Sequence, residues 1–384
     1  MQRNVSLVFA AKTIRTFCYG FMAVLLPIHL AQMELSKTSL GLAFSLSLFV
    51  GAFATRLAAI PSRRFGPHRT LAMLHGITVL SGILFLFAQT PWVLILAMAI
   101  GNLAIGVGES GPFLALEQVV LARSIPNERM TFLMSIYNLL GYVAAGLGGV
   151  IVGAFSTHLT IFFGLFIVGG VIQSLLCLGF THVEASKPPS LSLEGNHPLI
   201  RKIALLFSLD AFAGGFIVQG WIVYWFYSRF GVALSGLGWI YFATQVATGL
   251  SLLMAAPLAK RLGLVNAMVF SHFLSNIVLM AVPFAPTAKI AACILIARHL
   301  ISQIDVPTRQ TFLMLAVHAH EREYASTLTT FSRSLAQTVS PSITGLFMQS
   351  SYLSLPFLLG GGLKIAYDVW IYRVIRKASL QKLS

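Results

Sequence analysis

Arg298-His299-Leu300-Ile301-Ser302-Gln303-Ile304-Asp305-Val306-Pro307-Thr308-Arg309-Gln310 continues the apolar run 290–297 and feeds into the apolar run 312–317. Arg298, Ser302, Asp305 and Arg309 fall at intervals of 4, 3 and 4, so on a helix they share one face. That face carries two guanidiniums and a carboxylate inside a stretch long and apolar enough to cross a bilayer. A charge at mid-bilayer costs about 2.5–3.5 kcal/mol on the insertion scale, so it persists where it is paired or lines a wet pathway. Pro307 removes a backbone donor there, which is tolerable when neighbouring helices or water re-satisfy the ladder.

The rest of the chain has the same character. Of 384 residues, 57% are hydrophobic and only 10% charged, against about 25% charged in an ordinary soluble domain. A water-facing surface cannot hide that excess. Twelve spans are expected, at about 6–31, 38–60, 70–89, 92–121, 130–155, 158–181, 200–228, 234–258, 264–285, 288–317, 323–348 and 352–373. The first is read as a retained span, because residues 1–6 are too short for a signal-peptide n-region and no small-residue cleavage pattern follows. The longest connection, 182–199, is polar and Pro-rich and separates two halves, 1–181 and 200–384.

The net charge of +15 raises nucleic acid as a partner, but its distribution argues for a bilayer. Seventeen basic residues, among them Arg3, Arg56, Arg63, Arg64, Arg129, Lys260, Arg261 and Arg373, fall on one side of the expected spans. Lys37, Arg229 and Lys289 fall on the other. This bias puts both termini and the linker on the cytoplasmic side of the cell membrane, where basic loops meet anionic headgroups. Trp221, Tyr224, Trp225 and Tyr227 form the expected outer aromatic belt. Cys18, Cys177 and Cys293 lie in apolar runs without metal spacing, so neither a disulfide nor a metal site is expected.

An internal repeat ties the halves together. Arg15 to Phe21 matches Asp210 to Phe216 at offset 195, and Ala59 to Gly66 matches Ala256 to Gly263 at offset 197. The stripe Asn102, Gly106, Glu109, Phe113 matches Arg298, Ser302, Asp305, Arg309 at offset 196. Ala145 to Gly149 matches Ser340 to Thr344 at offset 195, and Glu128-Arg129 matches Glu321-Arg322 at offset 193. Five matches in near-constant register imply two parallel six-helix bundles related by an axis along the membrane normal.

Six spans plus six, a cytoplasmic linker and basic Arg-x-Gly loops after spans two and eight resemble the major facilitator superfamily over essentially the whole chain. The family's loop between spans two and three reads Gly-x-x-x-Asp-Arg-x-Gly-Arg-Arg/Lys. Here Ala59 takes the first Gly position and Arg63 the Asp position, while Arg64 and Gly66 fit. The missing Asp implies a differently built cytoplasmic gate, for which Arg63, Arg64, Lys260 and Arg261 are the candidates. On span five the family's small-residue motif is degenerate, as Gly141, Ala145, Gly146 and Gly149, and reads first as a close-packing surface.

In that family, spans 1, 4, 7 and 10 line a central cavity. The resemblance therefore implies a substrate and proton pathway carrying Arg15, Glu109, Asp210, Arg298, Asp305 and Arg309. Asp305 is the expected coupling carboxylate, and an Arg15–Asp210 contact across the cavity is expected in at least one conformation. Glu117 is expected to reach solvent near the cytoplasmic end of its span, Asp368 reads equally as reaching solvent or staying embedded, and His272 is expected to be a packing residue. The implied activity is secondary transport by alternating access of a small organic solute, coupled to H⁺. Six basic against five acidic embedded charges lean toward an anion. The runner-up is a proton-antiport efflux pump for amphiphilic or cationic drugs, and the third reading a non-transporting sensor or scaffold. No nucleotide-binding loop or hydrolase motif appears, so no enzyme activity and no cofactor is expected. The expected partners are the solute, protons and the lipid bilayer, with no nucleic acid, and the protein is expected to work as a monomer.

Overall fold

The computed structural model describes residues 2–103, 111–124, 127–155, 158–180, 198–317 and 321–381. Among them the chain is helical throughout, with no strand. Every expected span coincides with a helix or a broken pair of helices. The unbroken ones are α1 (Gln2–Gln32), α2 (Lys37–Leu57), α6 (Asn127–Ala154), α7 (Leu159–Leu178), α10 (Leu234–Leu262), α11 (Leu264–Ala281) and α16 (Leu355–Gln381), and α3 (Ala59–Phe87) is kinked at Gly66. The broken ones are α4 (Pro91–Ile100) with α5 (Pro112–Ser124), α8 (Pro198–Gly215) with α9 (Gln219–Phe230), α12 (Ala288–Ser302) with α13 (Asp305–Ala316), and α14 (Arg322–Gln337) with α15 (Ser340–Gln349). By length and apolarity alone, nine of these stretches among the described residues qualify as membrane spans. The expected fourth span is interrupted, and the expected eleventh and twelfth carry the charges Arg333, Lys364 and Asp368.

The breaks follow from local chemistry. Pro91, Pro198 and Pro341 each open a helix, where the missing N–H costs nothing. Pro307 behaves the same way. The helix restarts at Asp305, so the proline sits in a first turn that needs no donor, and the continuous helix face expected over 298–309 is cut at Gln303-Ile304.

Side chains re-satisfy the freed backbone groups, as an apolar surround demands. Near the end of α4, the Ser81 hydroxyl donates to Ala97 O (2.6 Å), Tyr19 to Gly101 O (3.2 Å) and Ser47 to Leu103 O (3.2 Å). At the α8–α9 break, Thr344 donates to Phe216 O (2.9 Å) and Ser340 to Phe212 O. Between α12 and α13, Ser251 Oγ accepts from the Gln303 amide at 3.0 Å.

The chain sorts into two compact units. One comprises residues 1–188 with 218–246, the other 189–217 with 247–384. In the first, α1 packs on α6, α7 and α9, and α3 on α7. The small-residue stripe of α6 does this packing. A Cβ at Gly148 would run into the backbone of Phe17, one at Gly149 would meet the Tyr241 ring, and one at Gly20 would meet the backbone of Ala145. In the second unit, α8 packs on α14 and α16, and α11 on α12, α13 and α16.

The repeat is visible in the backbone. Gly66 has φ 84° and ψ 160°, and Gly263, at offset 197, has φ 82° and ψ 153°. That region is essentially closed to residues with a Cβ.

Candidate functional site

Each unit holds one cluster of buried charge. In the first, Arg15 on α1 donates from both terminal nitrogens to the two oxygens of Glu117 on α5, the second bond at 2.8 Å. Tyr137 on α6 donates to the same carboxylate. Glu117 thus has three donors, two of them in the forked geometry that suits a guanidinium. Phe113, one turn before Glu117, lies against the guanidinium (5.0 Å) and stacks on His75 of α3 (4.6 Å). Lys12, one turn before Arg15, places Nζ 4.4 Å from the Tyr137 ring centre. Arg15, Glu117, Tyr137, His75 and Lys12 are all buried.

The second cluster centres on Asp210 of α8, which is 2% exposed. Lys364 Nζ of α16 donates to Oδ1 at 2.6 Å, while Arg309 of α13 (3.0 Å) and Arg333 of α14 (2.8 Å) donate to Oδ2. His272 Nε2 on α11 stands 3.4 Å from Oδ1. The other ring nitrogen of His272 lies 2.7 Å from Asp368 Oδ1, and Asn276 donates to Asp368 Oδ2 at 3.3 Å. Arg309 also holds Asp305 at 2.9 Å, one turn away on the same helix.

Arg298 is different. It is buried, yet among the described residues it forms no ion pair and its Nε has no partner. Its one close polar neighbour is His299 Nε2 at 3.4 Å, and the opposite nitrogen of that ring is bonded to Thr248 at 2.9 Å.

The expected residues therefore separate. Asp210, Asp305 and Arg309 come together. Arg298 is buried apart from any carboxylate partner, and Arg15 pairs inside its own unit. Arg15 and Asp210, expected to approach one another, are each saturated by other partners in this conformation. Glu109 lies outside the described residues. Arg63, Arg64, Lys260 and Arg261 are exposed, and Arg64 lies over the Phe65 ring at 5.3 Å.

Two residues were misread from sequence. Glu117, expected to reach solvent, is 1% exposed and bonded to Arg15 and Tyr137, and Asp368, whose reading was open, is likewise 1% exposed. His272, expected to pack, bridges two carboxylates. The available signal was the polar pairs one turn apart in apolar runs, His272 with Asn276 and Lys364 with Asp368.

Among known proteins, a family profile described as Major Facilitator Superfamily matches residues 8–341. An uncharacterized membrane protein of Saccharomyces cerevisiae, YJR124C, is 22% identical, covering 96% of this chain and 93% of its own. The multidrug efflux protein YfmO of Bacillus subtilis is 24% identical, covering 89% and 85%. A point-mutant crystal structure of the nucleoside transporter NupG superposes with a TM-score of 0.78 at 13% identity, covering 96% of this chain and 99% of its own, a likeness of fold.

Proposed function

This chain belongs to the major facilitator superfamily, and from that premise we propose that it is a secondary active transporter moving a small organic anion by alternating access, coupled to protons. The observation that carries the anion is Arg298. A buried guanidinium stays charged, and with no carboxylate bonded to it among the described residues its desolvation is only partly offset, by the more distant Asp305 and Asp210. A carboxylate, phosphate or sulfonate on the solute would supply the missing partner through a forked pair of hydrogen bonds. The embedded charges point the same way. Lys12, Arg15, Arg298, Arg309, Arg333 and Lys364 stand against Glu117, Asp210, Asp305 and Asp368 among the described residues. Interrupted helices beside buried charge, as at α12–α13, suit a binding site at membrane depth.

The functional halves are 1–181 and 200–384, joined by the linker 182–199, with both termini on the cytoplasmic side of the cell membrane as the basic-residue bias suggests. Arg63 and Arg64 with Lys260 and Arg261 form the cytoplasmic gate. Likeness to a multidrug efflux protein favours the second reading, export of amphiphilic drugs.

Flux into proteoliposomes decides between them. The panel would hold small organic anions, neutral nucleosides and sugars, and cationic drugs, each with and without a pH gradient. Accumulation of an anion driven by the gradient is expected. Accumulation of cationic drugs alone would overturn the proposal.

A further inference from the structure

We propose that His272, held between Asp210 and Asp368, is the proton-binding site of this transporter, taking up one proton at Nε2 together with a monovalent anionic solute. The inference rests on the proton-coupled reading above and locates its proton.

The two ring nitrogens face different company. Nδ1 is 2.7 Å from Asp368 Oδ1, so in the neutral ring Nδ1–H donates there. Nε2 then presents its lone pair to Lys364 Nζ at 3.5 Å and lies 3.4 Å from Asp210 Oδ1. Adding a proton turns that lone pair into a donor aimed at Asp210. The ring then has a carboxylate for each N–H, and Lys364 loses an acceptor and meets a competitor for Asp210. A neutral imidazole can donate to only one of the two carboxylates. Protonation therefore rewires the cluster without a large movement.

The remaining neighbours favour a single movable proton at this ring. On α16, Tyr367 packs edge-on to the ring at 5.9 Å, beside Lys364 and Asp368. From α13, Asp305 and Arg309 bind one another, and Arg309 and Arg333 of α14 share Asp210 Oδ2. On α12, which also packs on α11, Arg298 and His299 bond to each other. On α11 itself Asn276 holds Asp368. With the ring neutral, the three cations Arg309, Arg333 and Lys364 balance the three carboxylates Asp210, Asp305 and Asp368, and Arg298, bonded to none of these, leaves one net positive charge. A monoanion arriving with a proton leaves that balance unchanged, so neither ion adds to the buried charge. The proton comes from water on one side, resides on Nε2 and returns to water on the other.

The test uses the full chain labelled with ¹⁵N-histidine in lipid nanodiscs, with H⁺ as the probe. Of the ring signals from ten histidines, one pair should be missing in His272→Gln. In wild type that pair should report the Nδ1–H tautomer at pH 9 and convert reversibly to the doubly protonated ring by pH 5, the range over which histidine switches. Asp368→Asn, which keeps the shape, should displace that pair alone and so identifies it even where His272→Gln fails to fold. A His272 ring that keeps one neutral tautomer from pH 9 to 5 overturns the inference, as does a pair indifferent to Asp368→Asn. In proteoliposomes, His272→Gln should abolish gradient-driven accumulation of the transported anion while leaving its counterflow exchange. Retained gradient-driven accumulation would place the proton elsewhere and leave the transporter standing. A titrating ring in a protein that moves no anion would overturn the transport reading instead.

Discussion

Removing the partner of Arg15 should damage the protein more than removing Arg15 itself. In Glu117→Leu the guanidinium keeps its charge, cannot shed a proton and sits at 1% exposure over the Phe113 ring, without its carboxylate. Breaking a buried pair in this way costs about 3–5 kcal/mol, and the cation–π contact offsets no more than about 2. In Arg15→Met the carboxylate retains the Tyr137 donor and can become neutral by taking a proton, so the loss should sit near or below about 3 kcal/mol. The double variant Arg15→Met with Glu117→Leu removes both members of the buried pair and should recover most of the stability. At roughly 2 °C per kcal/mol, Glu117→Leu should melt about 6–10 °C below wild type and the double variant within a few degrees. Melting of purified protein in one detergent, at one scan rate, measures all four corners of the cycle. Additive losses in the double variant, or equal losses in the two singles, would refute the reasoning.

Arg298→Met should leave the melting temperature unchanged or raise it, because it removes a buried charge with no carboxylate bonded to it among the described residues, while abolishing anion binding measured by thermal-shift titration or flux. Asp210→Asn leaves Lys364 and Arg333 without their shared carboxylate and Arg309 with Asp305 alone, and should cost about 3–5 kcal/mol by the same rule, read as loss of monodisperse protein in size-exclusion profiles. Gly148→Val should separate α1 from α6 and melt well below Gly164→Val, since a Cβ at Gly148 meets the Phe17 backbone and one at Gly164 meets nothing within 4 Å.

The helices were legible in the chain because the bilayer imposes both length and apolarity. The expected span 130–155 and the observed Asn127–Ala154 differ only at their ends. The breaks were less legible. Pro307 announced one, but its consequence was misjudged, because a proline reads as damage inside a helix and as neutral at its start. Charge pairing was the least legible. Arg15 and Glu117 are separated by 102 residues, and no periodicity on either helix names the other. The repeat aligned Arg15 with Asp210 and suggested an approach in at least one conformation, but equivalence under a symmetry axis does not name the partner each finds within its own unit. What decided the partner was local supply, since α14 and α16 bring Arg333 and Lys364 to Asp210 while α5 brings Glu117 to Arg15.

The paired glycines 66 and 263 have a consequence in handedness. At Gly263 a Cβ would meet nothing within 4 Å, so space does not exclude a side chain there. Only the sense of the backbone does, for a positive φ of 82° with ψ 153° is a conformation that L side chains rarely adopt. A D-alanine introduced by chemical ligation at 263 should therefore be accommodated where L-alanine is strained. The joint between α10 and α11 is in this sense a right-handed chain making one left-handed step, and Gly66 takes the same step within α3.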